Sequence, residues 1–255
     1  MRVHLLPSAC GFPSPGPQFL SSYLVGDAIA IDGGSIGLQA DLDLQRRVRH
    51  VFLTHAHLDH VASLPLLIEN TYEPGQDCVE VLASADVLAA LQRDLLNDRA
   101  WPDFFALSTA DDRFVTATVL EPLVAVERAG CSITPVPVSH GTDTLAMVVD
   151  DGRTCVAFAA DTGPTDLLWR HLAERANVRA VFLECSFPTA LAGLASRCGH
   201  LSPASFAAEA RRLSPGIRTM VVHRKAAHAA TIAAEIAALG LRDVEMVVPG
   251  LPYEL

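Results

Sequence analysis

The chain has 255 residues, half of them hydrophobic and 19% charged, which excludes a disordered protein and leaves enough apolar side chains for a sizeable core. Basic residues number 19 and acidic residues 29, so the net charge is −10, a poor balance for gripping a nucleic-acid polymer. Mean hydropathy is +0.30, yet no apolar run approaches the roughly 18 residues a transmembrane helix needs, so no membrane partner is expected.

The segment from Met1 to Gly16 holds Arg2, Pro7, Pro13 and Pro15 and lacks the apolar core of a secretory signal, so a cytoplasmic protein is expected. Val3–Leu6, Phe19–Val25, Ala28–Ile31, His50–Leu53 and Val79–Leu82 read as strands. Ser84–Leu96 follows a helical period, with Ser84 placed to cap its first turn. Strands follow at Ile133–Val138, Thr144–Val149 and Thr154–Ala160, then a helix at Thr165–Arg175 and a strand at Ala180–Leu183. Pro203–Leu213 reads as a helix with proline in its first turn, and Thr219–Val222 as a strand. Ala226–Leu239 reads as a helix ended by Gly240, before a last strand at Val244–Val248. No repeat, linker or low-complexity tract divides the chain, so residues 1–255 read as one domain of packed sheets with outer helices. The cysteines, Cys10, Cys78, Cys131, Cys155, Cys185 and Cys198, include no C-x-x-C pair, which argues for free thiols in a reducing compartment.

The strongest signal is Thr54-His55-Ala56-His57-Leu58-Asp59-His60, directly after an apolar strand. A strand end can aim His55 and His57 at one ion while Asp59 and His60 turn toward a second. Imidazole and carboxylate together suit zinc, and also manganese or iron(II). A solvated polar turn is the plainer reading, but so many donors in so short a loop favour metal. Gly33-Gly34-Ser35 has neither the dinucleotide nor the P-loop spacing, and reads as a turn.

The run resembles the H-x-H-x-D-H signature of the metallo-β-lactamase fold, an α/β (α+β) four-layer αββα sandwich with metals at one edge of two facing sheets. The resemblance demands a histidine, an aspartate and a further histidine after later strands. His140, Asp161 and His223 stand in those places. It implies that a first ion takes His55, His57 and His140, a second takes Asp59, His60 and His223, and Asp161 bridges them. His4, His50, His171 and His228 fall on none of these positions, and His228 loses to His223 because it sits in a helix rather than at a strand end.

More of the chain resembles one branch, the class II cyclic-nucleotide phosphodiesterases. Asn97-Asp98-Arg99-Ala100-Trp101-Pro102-Asp103-Phe104, Leu183-Glu184-Cys185-Ser186-Phe187-Pro188, Gly199-His200-Leu201-Ser202-Pro203 and His223-Arg224-Lys225 carry that likeness. Arg224 departs from it, standing where an apolar residue is commoner, as does Ser202, where threonine is. The resemblance implies a hydrolase with two divalent ions, zinc first and Mn2+ or Fe2+ as substitutes, opening the 3′,5′-cyclic phosphodiester of cyclic AMP or cyclic GMP to the 5′-monophosphate. Its partner is then a small cyclic nucleotide, with a homodimer allowed. Asp59, Glu184 and His200 are the expected catalytic residues. Glu184 and His200 either protonate the leaving oxygen or only support the metal histidines. Trp101 could stack on a base with Asn97 reading its edge, and Lys225 could hold a phosphate oxygen; core packing and a solvated lysine are the plainer alternatives.

Three functions compete. The first is the cyclic-nucleotide phosphodiesterase. The second is another hydrolase on this fold: an RNA 3′-processing nuclease, a thioesterase or a lactonase. The third is a non-enzymatic metal-binding protein. The acidic balance opposes the nuclease, and the complete ligand set opposes the third.

Overall fold

The computed structural model describes residues 1–8 and 17–255, so Cys10, Pro13 and Pro15 lie outside the described residues. The chain runs through β1 (Arg2–Leu5), β2 (Tyr23–Val25), β3 (Ile29–Ile31), β4 (His50–Phe52), β5 (Val79–Ala83), β6 (Val115–Val119) and β7 (Val126–Arg128). It continues through β8 (Cys131–Pro137), β9 (Leu145–Asp150), β10 (Cys155–Phe158), β11 (Val178–Glu184), β12 (Arg218–Val222), β13 (Val244–Met246) and β14 (Pro252–Glu254).

These strands form two seven-stranded sheets, in the orders β14-β1-β2-β3-β4-β5-β6 and β13-β12-β11-β10-β9-β8-β7. A strand alternates its faces, so a strand apolar on both must be covered on both. Ile29, Ile31 and Phe52 face the opposite sheet, while Ala30 and Val51 face helices. In the second sheet Ala180 and Phe182 face inward, while Val181 and Leu183 meet helices. Leu64, Leu67 and Ile68 of the helix Leu64–Thr71 cover the first sheet. Phe206 of Pro203–Ala210 and Ile232 of Ala229–Ala238 cover the second. The result is the expected αββα sandwich. Each fully buried Phe, Leu or Ile contributes roughly 1.5–3 kcal/mol. This double coverage accounts for the high hydropathy, and among the described residues no helix is long and apolar enough to cross a membrane.

Strand direction gathers the loops. β3, β4, β5 and β6 run parallel, as do β10, β11, β12 and β13. β8 and β10 both run antiparallel to β9, so β8 points the same way as β10. The C-terminal ends of β8, β10, β11 and β12 therefore open at one edge of their sheet. The Leu145 N–H donates to the Thr54 carbonyl at 3.0 Å, which ties the loop after β4 to the second sheet.

Most expected elements form within a residue or two. Ser84 caps its helix by accepting from the Val87 N–H. Gly240 follows the last helix at φ +58°. The expected helix Pro203–Leu213 ends at Ala210, the expected helix Ala226–Leu239 opens as a 3-10 turn over Ala226–His228, and two further elements differ. The expected strand Phe19–Val25 begins only at Tyr23, because the Gln18 side chain holds the Leu6 and Leu20 carbonyls and the Ser21 N–H donates to the Asp59 carbonyl. The expected helix Ser84–Leu96 is α over Ala85–Ala90 and then π over Leu91–Leu95.

The turn at Gly33-Gly34 has a steric basis. Gly34 donates to the Ser21 carbonyl at 2.9 Å, and a Cβ there would lie 2.1 Å from the Asp59 carbonyl oxygen. Only glycine lets this turn touch the backbone of the histidine loop. Gly34→Ala should lower stability by about 1–3 kcal/mol and loosen metal retention, measured by thermal melts and metal analysis. Gly193→Ala, in the helix Ala192–Arg197 where the nearest atom to an added Cβ is 3.7 Å away, should leave both intact.

Candidate metal centre

β4 ends at Phe52 and leads through a bend at Thr54 to His55, and the short helix Leu58–Val61 then turns Asp59 and His60 inward. His55 and His60 are buried, and His57 is exposed. β8 leads to His140, β10 to Asp161 and β12 to His223. Three non-glycine residues here adopt left-handed backbone: Asp32 at φ +65°, Ala160 at +59° and His223 at +48°. Each such residue costs on the order of 1–3 kcal/mol and persists only where its surroundings fix it.

The donors form three overlapping groups. His55, His57, His140 and Asp161 make one, Asp59, His60 and His223 a second, and Asp161, His200 and His223 a third. His55 Nε2 lies 3.0 Å from His57 Nδ1, which lies 3.3 Å from His140 Nε2. His223 Nε2 lies 3.2 Å from Asp59 Oδ2 and 3.4 Å from His60 Nε2. Asp161 Oδ2 is 3.8 Å from His55, and Oδ1 is 3.5 Å from His60 and 3.2 Å from His223. Donors bonded tetrahedrally to zinc at 2.0–2.1 Å lie roughly 3.3 Å apart.

The charges fit a cation as well. Asp161 Oδ1 is buried and accepts no hydrogen bond, a costly state for a carboxylate oxygen unless a cation meets it. Burial, then the neighbouring His60, holds His55 neutral, as a metal ligand must be. Burial likewise lowers His57, helped by His140. Burial would raise Asp59, but the His223 hydrogen bond and the His60 charge hold it well below the carboxylate range. Burial would lower His60, yet Asp32 and Asp161 hold it well above its usual value.

A polar layer behind the donors fixes their orientation. Asp32 Oδ2 meets His60 Nδ1 at 2.6 Å, and its Oδ1 accepts from the Thr54 N–H and hydroxyl at 2.8 and 3.0 Å. Thr54 Oγ1 lies 3.0 Å from His55 Nδ1. His140 Nδ1 meets the Gly199 carbonyl at 2.9 Å, and Ser186 Oγ meets His223 Nδ1 at 3.0 Å. Sequence reasoning passes over Asp32, Thr54, Ser186 and Gly199 in this role. For Asp32 a signal exists: an aspartate ends an apolar strand immediately before two glycines.

Glu184 is fully buried and holds several donors. Oε1 accepts from His200 Nδ1 at 2.6 Å and the Thr162 N–H at 2.9 Å; Oε2 accepts from the Ser186 hydroxyl at 2.5 Å and its N–H at 3.1 Å. The His200 ring lies 4.9 Å from that of His140 and 5.8 Å from that of His223. Burial would lower His200, but Glu184 raises it above its usual value. Lys225 Nζ is 3.4 Å from Asp59 Oδ2.

Asn97 and Trp101 are placed differently. The Asn97 carboxamide accepts from the Arg99 and Ala100 N–H groups and donates to the Arg93 carbonyl, which closes its own turn. The Trp101 ring packs against the first sheet's outer core, with Nε1 buried and unpaired. His4, His50, His171 and His228 join no donor group among the described residues. His50 pairs with Glu80 at 2.8 Å, His171 lies beside Arg175, and His228 sits where the 3-10 turn Ala226–His228 meets the following helix.

Asp32→Asn keeps the shape of the side chain and removes its charge. Metal affinity should fall by roughly 10- to 100-fold, the usual cost of losing such a partner. A competition titration with a chromophoric chelator measures it, and an unchanged affinity would refute the orienting role.

Known proteins with this arrangement bear on the fold. The family model described as the β-lactamase superfamily domain matches residues 37–224. A probable 3′,5′-cyclic-nucleotide phosphodiesterase of Yersinia pestis is 27% identical over 185 residues, 66% of this chain and 52% of the relative. The match thus spans about half the length of that relative. Unliganded yeast PDE1 superposes with a TM-score of 0.80 at 18% identity, over 98% of both chains. The metallo-β-lactamase-fold protein YhfI of Bacillus subtilis gives 0.75 at 20% identity, over 99% of both. Every donor from His55 to His223 falls inside the matched stretch, and the chain belongs to the β-lactamase superfamily, in its metallo-β-lactamase fold.

Proposed function

We propose that this chain, as one αββα unit, is a metal-dependent phosphodiesterase that opens the 3′,5′-cyclic phosphodiester of a nucleotide, cyclic AMP first and cyclic GMP second, to the 5′-monophosphate. The observation that carries the reading is the Asp161 carboxylate, with Oδ2 toward His55 and Oδ1 toward His60 and His223, and the Glu184–His200 pair beside it. His55, His57 and His140 would hold one divalent ion, Asp59, His60 and His223 a second, and Asp161 both. Zinc suits that donor set best, with manganese or iron(II) as alternatives. When bound, such ions supply an acidified water and positive charge for phosphate oxygens.

The chain's own residues do the rest. Asp59 and Asp161 anchor the ions, and Lys225 beside Asp59 reaches for a phosphate oxygen. Glu184 holds His200 at Nδ1, which leaves Nε2 to give a proton to the departing 3′ oxygen. Asn97 and Trp101 enter the proposal as contacts to the base. The cyclic-nucleotide assignment rests on the Yersinia relative's name and on the Glu-Cys-Ser and Gly-His-Leu segments.

A ribose 3′ oxygen is a poor leaving group that needs protonation, and p-nitrophenolate does not. His200→Ala should therefore slow cyclic AMP hydrolysis by about 10²–10⁴-fold, spare bis(p-nitrophenyl) phosphate by comparison, and keep about two ions per chain. Glu184→Gln should show the same asymmetry more weakly. Equal losses on both substrates, or lost metal, would assign the pair to metal support alone. Turnover of thioesters, lactones or RNA ends without cyclic nucleotides would replace the substrate class.

Trp101→Ala should raise KM for cyclic AMP and leave that for bis(p-nitrophenyl) phosphate nearly unchanged. A parallel change on both would make the ring a packing element.

A further inference from the structure

The metal centre continues on one side into a cavity. A space of about 90 Å³ is walled by Phe19, Leu20, Tyr23, His223, Arg224 and Lys225. An adjoining space of about 400 Å³ shares Leu5, Gln18, His223, Arg224 and Ala226 with it, and is closed behind by Met246, Val248 and Ala233. Small-molecule sites typically span 300–1,000 Å³ and are mostly apolar with a few polar groups. This one begins at a metal-donor histidine.

Its charge is unusual for this protein. The chain carries −10, yet among the described residues neither space is lined by an aspartate or a glutamate. Arg224 and Lys225 are the charged side chains there. Lys225 already faces Asp59. Arg224 meets only two backbone carbonyls, Ala229 at 3.5 Å and Val247 at 3.4 Å, both at the limit of a hydrogen bond. By contrast Arg128, Arg175, Arg212 and Arg218 each meet a carboxylate. A half-buried guanidinium without an anion leaves most of its donor fork unused, and that fork matches a phosphate in two-point contact.

We propose that this cavity is a second anion subsite, in which Arg224 takes a further phosphate of a nucleotide whose scissile or product phosphate lies at the metal centre. The ligand class is a nucleoside carrying two separate phosphate groups. The apolar walls receive the nucleoside, and Phe19, 59% exposed at the rim, offers it a ring face. The assignment rests on the phosphodiesterase reading for the position of the first phosphate.

The test compares adenosine 2′,5′-bisphosphate, the isomer whose second phosphate leaves the 3′ oxygen free as the proposed reaction requires, with adenosine 5′-monophosphate by calorimetry on the metal-loaded full chain. The bisphosphate should bind at least about tenfold tighter, as expected for one charge-assisted phosphate contact. In Arg224→Ala that advantage should fall below about threefold, with metal content and melting temperature as controls. Arg224→Lys, which keeps the charge and loses the fork, should retain part of it, and serves as the second variant if Arg224→Ala does not fold. Equal affinities in the parent chain, no binding of either ligand, or an equal loss for both in Arg224→Ala would overturn the subsite. Because binding is read without turnover, an intact bisphosphate preference beside absent cyclic-nucleotide hydrolysis would remove the phosphodiesterase reading and leave the subsite standing.

Discussion

The carboxylate of Asp161 is the point at which the two sheets share one electrostatic requirement. It is 2% exposed, and its two oxygens face different histidines: Oδ2 toward His55, Oδ1 toward His60 and His223. His55 and His60 come from the first sheet, Asp161 and His223 from the second. An ionised carboxylate without compensation costs several kcal/mol inside a protein. The His55 ring does not offset it, because burial holds that ring neutral. A cation beside the carboxylate would resolve the charge.

A second buried carboxylate, Glu184, makes the loops of the second sheet answer to one another. It holds the Thr162 N–H just after Asp161, the Ser186 hydroxyl that also meets His223, and the His200 ring. One side chain thereby ties together the loops that carry Asp161, His223 and His200. Every partner of Glu184 is a donor, so the buried carboxylate is satisfied and its neighbours are ordered.

The histidines and aspartates that the structure gathers were legible in the sequence because the loops that carry them follow apolar runs, and a strand covered on both faces cannot hide its own polarity pattern. His55, His140, Asp161 and His223 stand out for that reason. The layer behind them was not legible. Asp32, Thr54 and Ser186 reach their partners across loops, and no local period records such contacts. β6 and β7 escaped because their faces are partly exposed and their residues mixed, as in Val126-Glu127-Arg128. In the loop at Asn97 and Trp101 the carboxamide closes its own turn and the indole ring lies on the core, contacts that no local period records. Arg224 was visible as a departure from pattern, and only the cavity gave that departure a consequence.

Charge placement separates a small anion from a polymer as the molecule's object. The net charge of −10 is a poor balance for holding a nucleic-acid backbone. At the sheet edge the balance reverses. The donor groups contribute two carboxylates, Asp59 and Asp161, which a pair of divalent ions would more than offset, and the adjoining cavity adds Arg224 and Lys225 without any acid. Under the proposed function a compact phosphate ester would meet that local positive charge, whereas a long strand would have to lie along a chain of net charge −10 at every phosphate beyond the first few.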